Sequence, residues 1–200
     1  MPAFDHNADY ILENDVVLLR PLQQEDFAHL LYFSLNEPSL WRYSSTQPVG
    51  EEGLRNYIQS TLEARAGGKE YPFIVFDKRT GRYAGSTRFY DIQPSNQSTQ
   101  LGYTWYGKDF QRSGLNRHCK FLLLQFAFEE LDLLRVEFRA HSKNERSIDA
   151  MKAIGCTVEG ILRSTGADPV FGGRRDSIVL SILKAEWEAR VKKELAEKIR

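Results

Sequence analysis

The hexapeptide Gln111, Arg112, Ser113, Gly114, Leu115, Asn116 carries the residue types and spacing best suited to chemistry. It lies between an aromatic run ending at Phe110 and an apolar pattern of helical spacing that extends to Leu131. A helix start leaves its first amides without backbone partners and bears partial positive charge. A turn of small residues there lets an anion, above all a phosphate, approach those amides. Gly114 supplies the room. A glycine before a helix is also ordinary punctuation between elements, so the hexapeptide alone leaves both readings open.

Hydrophobic period indicates the elements that must hold this turn. Thr99 to Tyr106, rich in aromatic and β-favouring residues, predicts a strand before it. After it, Leu115, Cys119, Leu122, Leu123, Phe126 and Ala127 form one apolar stripe, and Phe121, Leu124, Phe128 and Leu131 form another. The later half of this helix is apolar nearly all round, so it is expected to be buried, packed on a sheet and covered on its other side. Arg135 to Ala140 follows as a strand, and strand, helix, strand implies a right-handed parallel crossover. The turn then sits at the carboxyl end of a strand, where open α/β sheets bind ligands.

Upstream, Val16 to Leu19 reads as a strand closed by Arg20 and Pro21. Phe27, Leu30, Leu31, Ser34 and Leu35 follow helical spacing behind Glu25 and Asp26, and Leu54, Tyr57, Ile58, Thr61 and Leu62 mark a second helix stopped at Gly67 and Gly68. The loop Pro38 to Pro48 between them carries Trp41, Arg42, Tyr43 and Ser44; its aromatics either fold back on the core or line a cleft. Tyr71 to Asp77 and Tyr83 to Asp91 form a hairpin across Lys78 to Gly81, and with Thr99 to Tyr106 they make a meander.

Downstream, Ser142, Lys143, Asn144, Glu145 matches a Ser-x-x-Glu capping box and predicts a helix through Ile148, Met151 and Ile154, ended by Gly155. Thr157 to Arg163 is a strand, Ser164 to Gly173 a loop containing Pro169, and Arg174 to Leu183 the last strand. Ala185 to Arg200 places Trp187, Val191, Leu195 and Ile199 on one side of a charged helix, with Glu188–Lys192 and Glu194–Lys198 as supporting pairs. So narrow a stripe fits a surface helix or a partner seam.

Composition bounds the partners. The 200 residues are 42% hydrophobic, enough for one well-cored domain, and 27 basic against 27 acidic residues leave no net charge. No global field favours nucleic acid or an acidic membrane, so any anion site must be local. Cys119 and Cys156 lack metal-ligand spacing and are expected to be reduced core thiols. Met1 to Leu12 has no signal-peptide pattern, and no stretch is apolar for long enough to span a bilayer, so a cytoplasmic location is expected. No Gly-x-x-x-x-Gly-Lys-Ser/Thr occurs, which removes a P-loop enzyme.

With Gln111, Arg112, Ser113 and Gly114, this order of elements resembles the Gcn5-related N-acetyltransferase (GNAT) superfamily. The run Asn144, Glu145, Arg146, Ser147, then Gly155, then Glu159 to Arg163, then Arg175, Asp176, Glu186 and Trp187 is similar to its ribosomal-protein alanine N-acetyltransferase branch. The likeness spans roughly residues 14 to 187, with a C-terminal helix beyond. It implies a single α/β (α+β) domain over 1–200, with a mixed sheet of about seven strands and helices on both faces. The implied activity is direct transfer of acetyl from acetyl-CoA to a primary amine, a protein N-terminus or a small amine, in a ternary complex without metal. A non-catalytic acyl-CoA-binding module on the same fold is the alternative, and a homodimer through the last strand and helix is an option.

The resemblance also assigns residues. The pyrophosphate falls to Gln111, Arg112, Ser113, Gly114, Leu115 and Asn116, mainly through backbone amides, and the pantetheine arm to the backbone of Thr104, Trp105 and Tyr106. Asn144 contacts the pantetheine region and Ser147 lies near the sulfur, although Asn near a helix start is equally a cap. Three departures stand out. Met151 occupies the place of a tyrosine that often protonates the departing thiolate, leaving Ser147 or a water for that task. The loop carries Arg112 and Asn116 where small residues are common; Arg112 can pair with a phosphate, and Arg117 and Lys120 can meet the 3′-phosphate. No general base stands out among Glu137, His141, Glu159 and Asp168, each of which also suits a structural pair.

Overall fold

The computed structural model describes residues 4–44, 46–168 and 170–200; Ser45 and Pro169, within two of the predicted loops, lie outside these, as do the first three residues. The strands are β1 (Leu12–Glu13), β2 (Val17–Pro21), β3 (Glu70–Asp77), β4 (Arg82–Gln93), β5 (Ser98–Tyr106), β6 (Arg135–His141), β7 (Thr157–Ala167) and β8 (Arg174–Leu183). They form one sheet in the order β1-β2-β3-β4-β5-β6-β8-β7. Eight strands replace the expected seven or so. The addition is β1, whose two residues are too few to show a period and are fixed by pairing with β2.

The helices are α1 (Phe27–Asn36), α2 (Gly50–Ala66), α3 (Leu115–Gln125) and α4 (Glu145–Ala153), followed by a C-terminal helix over Lys184–Glu186, Trp187–Val191 and Lys192–Glu197. Consecutive strand residues point to opposite faces. In β4, Arg88 donates to Thr61 Oγ1 of α2 at 2.8 Å, while Phe89 packs on Phe126 beyond α3 with ring centroids 6.2 Å apart. Helices therefore cover both faces, as expected. That explains why Tyr71, Phe73, Ile74 and Val75 of β3 are all buried without alternation.

The helix after the turn departs from α geometry over Phe126–Glu130, a wider turn in which Leu131 N–H donates to Phe126 O, five residues back, at 3.0 Å. A second wide turn covers Trp187–Val191. The two meet: the Trp187 and Phe128 rings stack 5.7 Å apart, Trp187 Nε1 donates to Glu129 at 2.8 Å, and Lys192 pairs with Glu129 at 2.8 Å. The predicted Glu188–Lys192 and Glu194–Lys198 pairs are not formed among the described residues: Glu188 pairs with Lys184 and Glu194 with Arg190, Lys192 turns to Glu129, and Lys198 Nζ donates to Ala153 O at 2.9 Å. Trp187, Val191 and Leu195 are buried within this chain, and β8 lies between β6 and β7, so neither is the free partner seam considered from sequence.

Two further expectations are corrected. β7 runs on to Ala167 through a register shift in which Ser164 adopts φ 56°, so the following loop begins at Asp168 rather than Ser164. The cap of α4 is Asn144, whose Oδ1 accepts from Ser147 N at 3.2 Å, and not Ser142, whose amide donates to Asp176 O at 3.0 Å. Cys119 and Cys156 are free buried thiols. Among the described residues no helix is long and apolar enough to cross a membrane.

Candidate functional site

The parallel strands β5 and β6 pair only at Ser98–Arg135, Thr99–Val136 and Gln100–Glu137. Beyond Gln100, β5 pairs only with β4, and beyond Glu137, β6 pairs only with β8, so the two strands part toward their carboxyl ends. Unpaired backbone along such a wedge is ready to bond an extended ligand. A bulge shapes the β5 side: Ser86 faces Trp105 and Arg88 faces Gly102, so Thr87 alone stands opposite Tyr103 and Thr104, and Tyr103 takes φ 49°. Gly85 allows the close approach of β4 and β5 there, since a Cβ at that position would lie 2.0 Å from Trp105 O.

The predicted turn closes the wide end of the wedge. Arg112 and Gly114 both have positive φ, 60° and 85°, which turns successive amides outward ahead of α3. Leu115 N–H is paired with Ser113 Oγ at 3.4 Å and Arg117 N–H with Gly114 O at 2.9 Å; among the described residues, the amides of Arg112, Gly114 and Asn116 meet no protein acceptor. Gln111 is a strut, its Nε2 donating to Tyr106 O at 2.8 Å and tying the turn to the end of β5. Trp105 is buried against Trp41 and Phe33, with centroids 5.2 and 5.7 Å away, so only its backbone is offered to the wedge and Trp41 belongs to the core. Sequence reasoning missed Arg79. From the tip of the β3–β4 hairpin it donates to Ser113 O at 3.1 Å while its Nη2 holds Asp77 at 2.7 Å. Burial works to raise the Asp77 pKa, yet the Arg79 bonds prevail and lower it, so a charged pair props the turn from behind.

The start of α4 faces the same end of the sheet from β6, so two helix N-termini flank the wedge. Asn144 spends Oδ1 on its capping bond; its Nδ2 and Ser147 Oγ have no protein partner among the described residues. Met151 is buried core, as its spacing predicted.

The candidate bases are otherwise engaged. Glu137 bonds Arg135 at 2.8 Å and Arg139 at 2.7 Å, and Glu159 is held by Arg135 and Ser181. Hydrogen bonds from Arg135 and then Ser181 lower the Glu159 pKa. His141 Nε2 meets Asp168 Oδ2 at 2.8 Å while its Nδ1 accepts from Lys143 N–H at 3.0 Å, which puts the proton on Nε2 and leaves no free lone pair. Around this pair, Tyr43 and Phe171 lie 5.7 and 5.5 Å from the imidazole, and Arg42 and Lys143 stack on Phe171. The loop after α1 and the loop after β7 are thus joined at the wedge mouth.

The bond from His141, then those from the Phe171 and Val170 amides, hold the Asp168 carboxyl down at about 2. A carboxyl depressed in the folded state stabilises above its unfolded pKa of about 3.8 and loses that contribution as pH falls toward about 2. Asp168→Asn is therefore expected to lower the urea midpoint at neutral pH, with the difference from the parent shrinking between about pH 4 and pH 2. A difference that stays constant across that window would contradict the pairing.

Lys120 is not where the sequence placed it. Instead of reaching out beside Arg117, it is 5% exposed, and its Nζ donates to Thr104 Oγ1 at 2.9 Å and lies 5.6 Å from the Phe138 ring. Those two residues belong to β5 and β6, past the point where the strands part.

Comparison with known proteins accords with this geometry. A family model described as "Acetyltransferase (GNAT) domain" matches residues 17–157. YdaF of Bacillus subtilis, whose name assigns it provisionally to the ribosomal N-acetyltransferases, is 29% identical over 86% of this chain and 91% of its own length. A GCN5-related N-acetyltransferase from Brucella melitensis superposes with TM-score 0.87 at 26% identity, over 98% of this chain and 88% of that one. RimL, a ribosomal L7/L12 α-N-protein acetyltransferase, shares the fold at TM-score 0.78 and 19% identity, over 90% of this chain and 97% of its own.

Proposed function

The chain belongs to the acetyltransferase (GNAT) domain family, and from that premise we propose that it transfers acetyl from acetyl-CoA to a primary amine by direct attack within a ternary complex. The observation that carries this reading is the wedge between β5 and β6, closed by a turn in which the amides of Arg112, Gly114 and Asn116 have no protein acceptor among the described residues. The amides of Arg112 to Asn116 take the pyrophosphate, with Arg112 and Arg117 as exposed cations beside it. The free edge of β5 at Thr104 to Tyr106 takes the pantetheine arm, and a bulge amide polarises the thioester carbonyl. Asn144 Nδ2 steadies the arm and Ser147 Oγ hydrogen-bonds the sulfur.

The acceptor enters between the loops joined at His141, and we assign it as the amino terminus of a protein. The name of YdaF supports that class, as do the aromatic Tyr43 and Phe171, which suit a peptide better than a polycation. With Glu137, Glu159 and His141 engaged, the amine loses its proton to water rather than to a side chain.

Thiol release from acetyl-CoA tests the proposal, with a panel of ribosomal-protein N-terminal peptides and small amines. Release with a peptide is expected. Acetyl-CoA binding without release for any amine would favour the non-catalytic binding module, a reading that Met151 and the engaged carboxylates make specific.

A further inference from the structure

Lys120 is a buried charged group at the wedge whose placement the proposed function has not used. An ammonium has three N–H donors. One is spent on Thr104 Oγ1, itself 2.7 Å from Thr87 Oγ1; among the described residues no carboxylate pairs with the other two. The groups facing it are neutral. Cys119 on its own helix and Cys156 just before β7 are thiols whose pKa burial pushes up to about 12, and the Phe138 ring lies across the gap on β6. A buried cation without a counter-ion is costly, and replacing it by an apolar side chain is commonly neutral or stabilising, so its retention calls for an anion that arrives later. The acetyl transfer makes one anion in that place, the coenzyme thiolate.

We propose that Lys120 is the acid of the reaction, its ammonium receiving the departing sulfur at the floor of the wedge and giving it a proton. This rests on the acetyl-CoA reading above. The amine nitrogen bonds the thioester carbonyl carbon, and the carbon–sulfur bond breaks with its electron pair on sulfur. Sulfur takes a proton from Nζ, and the neutral Lys120 amine recovers one from solvent, which has accepted the proton lost by the substrate nitrogen. Ser147 cannot supply that proton by itself, because an alcohol is a far weaker acid than a thiol; it orients the sulfur and Lys120 protonates it. Burial lowers the Lys120 pKa to about 8, close to that of a thiol at about 8.5, the match at which proton transfer is efficient.

The test compares the full-length protein with Lys120→Met and Lys120→Arg, and reads coenzyme A binding by calorimetry, the titration of its bound thiol by thiolate ultraviolet absorbance, and kcat against pH. The wild type is expected to bind coenzyme A with a thiol about one pKa unit or more below that in Lys120→Met. Lys120→Met should keep coenzyme affinity within about 3-fold and a thermal midpoint no lower than the wild type, while kcat falls about 100-fold and its alkaline limb near pH 8 disappears. Lys120→Arg keeps the charge but cannot release a proton, so it should restore the low thiol pKa without restoring kcat. Equal thiol titration in wild type and Lys120→Met, or full kcat in Lys120→Arg, would overturn the proposal. Failure of the wild type to bind coenzyme A would instead overturn the function on which it rests.

Discussion

Gly114→Glu should abolish acetyl-CoA binding while the protein still folds. A Cβ at Gly114 meets nothing within 4 Å, so the side chain enters open space, and that space is where the turn presents its amides. A carboxylate there sets a negative charge against the pyrophosphate, and such like-charge juxtaposition costs several kcal/mol, a loss on the order of 10³-fold in affinity. Holding a non-glycine residue at φ 85° costs about 1–2 kcal/mol of stability, a minor part of the roughly 5–15 kcal/mol that keeps a domain folded. Gly114→Ala bears the same strain without the charge and should bind within about 10-fold of the parent, which separates electrostatics from backbone distortion. Calorimetry reads both. Affinity of Gly114→Glu within about 3-fold of the parent would remove the turn from the binding site.

Trp187→Ala should be the most damaging single truncation outside the site. Its side chain is fully buried, stacks on Phe128, packs near Phe121 at 5.9 Å and donates to Glu129. Removing a buried tryptophan costs about 3–5 kcal/mol, and here it also strips a hydrogen bond from Glu129, a carboxylate that among the described residues keeps only Lys192 and Gln125. The result should be a fall of the thermal midpoint by roughly 10 °C or more. A loss under about 1 kcal/mol in urea would mean that the C-terminal helix merely rests on the core.

Much of the site was legible because its signals are local. The change of period around Gly114, from a β-type run to a helix whose later half is apolar nearly all round, marks strand, turn and crossover in one stretch. The parting of β5 and β6 was not legible, since it depends on which residues stop pairing and leaves no mark on composition. Arg79 was read only as part of a hairpin turn because its contact with Ser113 spans 34 positions in sequence. Lys120 lies among Cys119, Leu123 and Leu124, buried residues of the same helix. That context was a signal for burial, overridden by the ordinary habit of lysine to lie in water. Asn144 illustrates a third case: cap and ligand contact use different atoms of one amide, so the two readings of the residue are compatible.

The two wide turns that lock together at Trp187 and Phe128 also constrain how this chain can change length. Each holds one residue more than an α turn, so deleting that residue would leave a plain α turn with the helix beyond it still in phase, whereas a further insertion or a second deletion would rotate everything beyond it by about 100°. In Phe126–Glu130 that rotation would carry Leu131 and Leu133 off the core and pull β6 out of register with β5, closing or skewing the wedge. Changes of length are therefore better tolerated in the exposed loops before β3 and after Asp168 than in these helices. The exposed loops can change length more freely than the helix that follows the Gly114 turn.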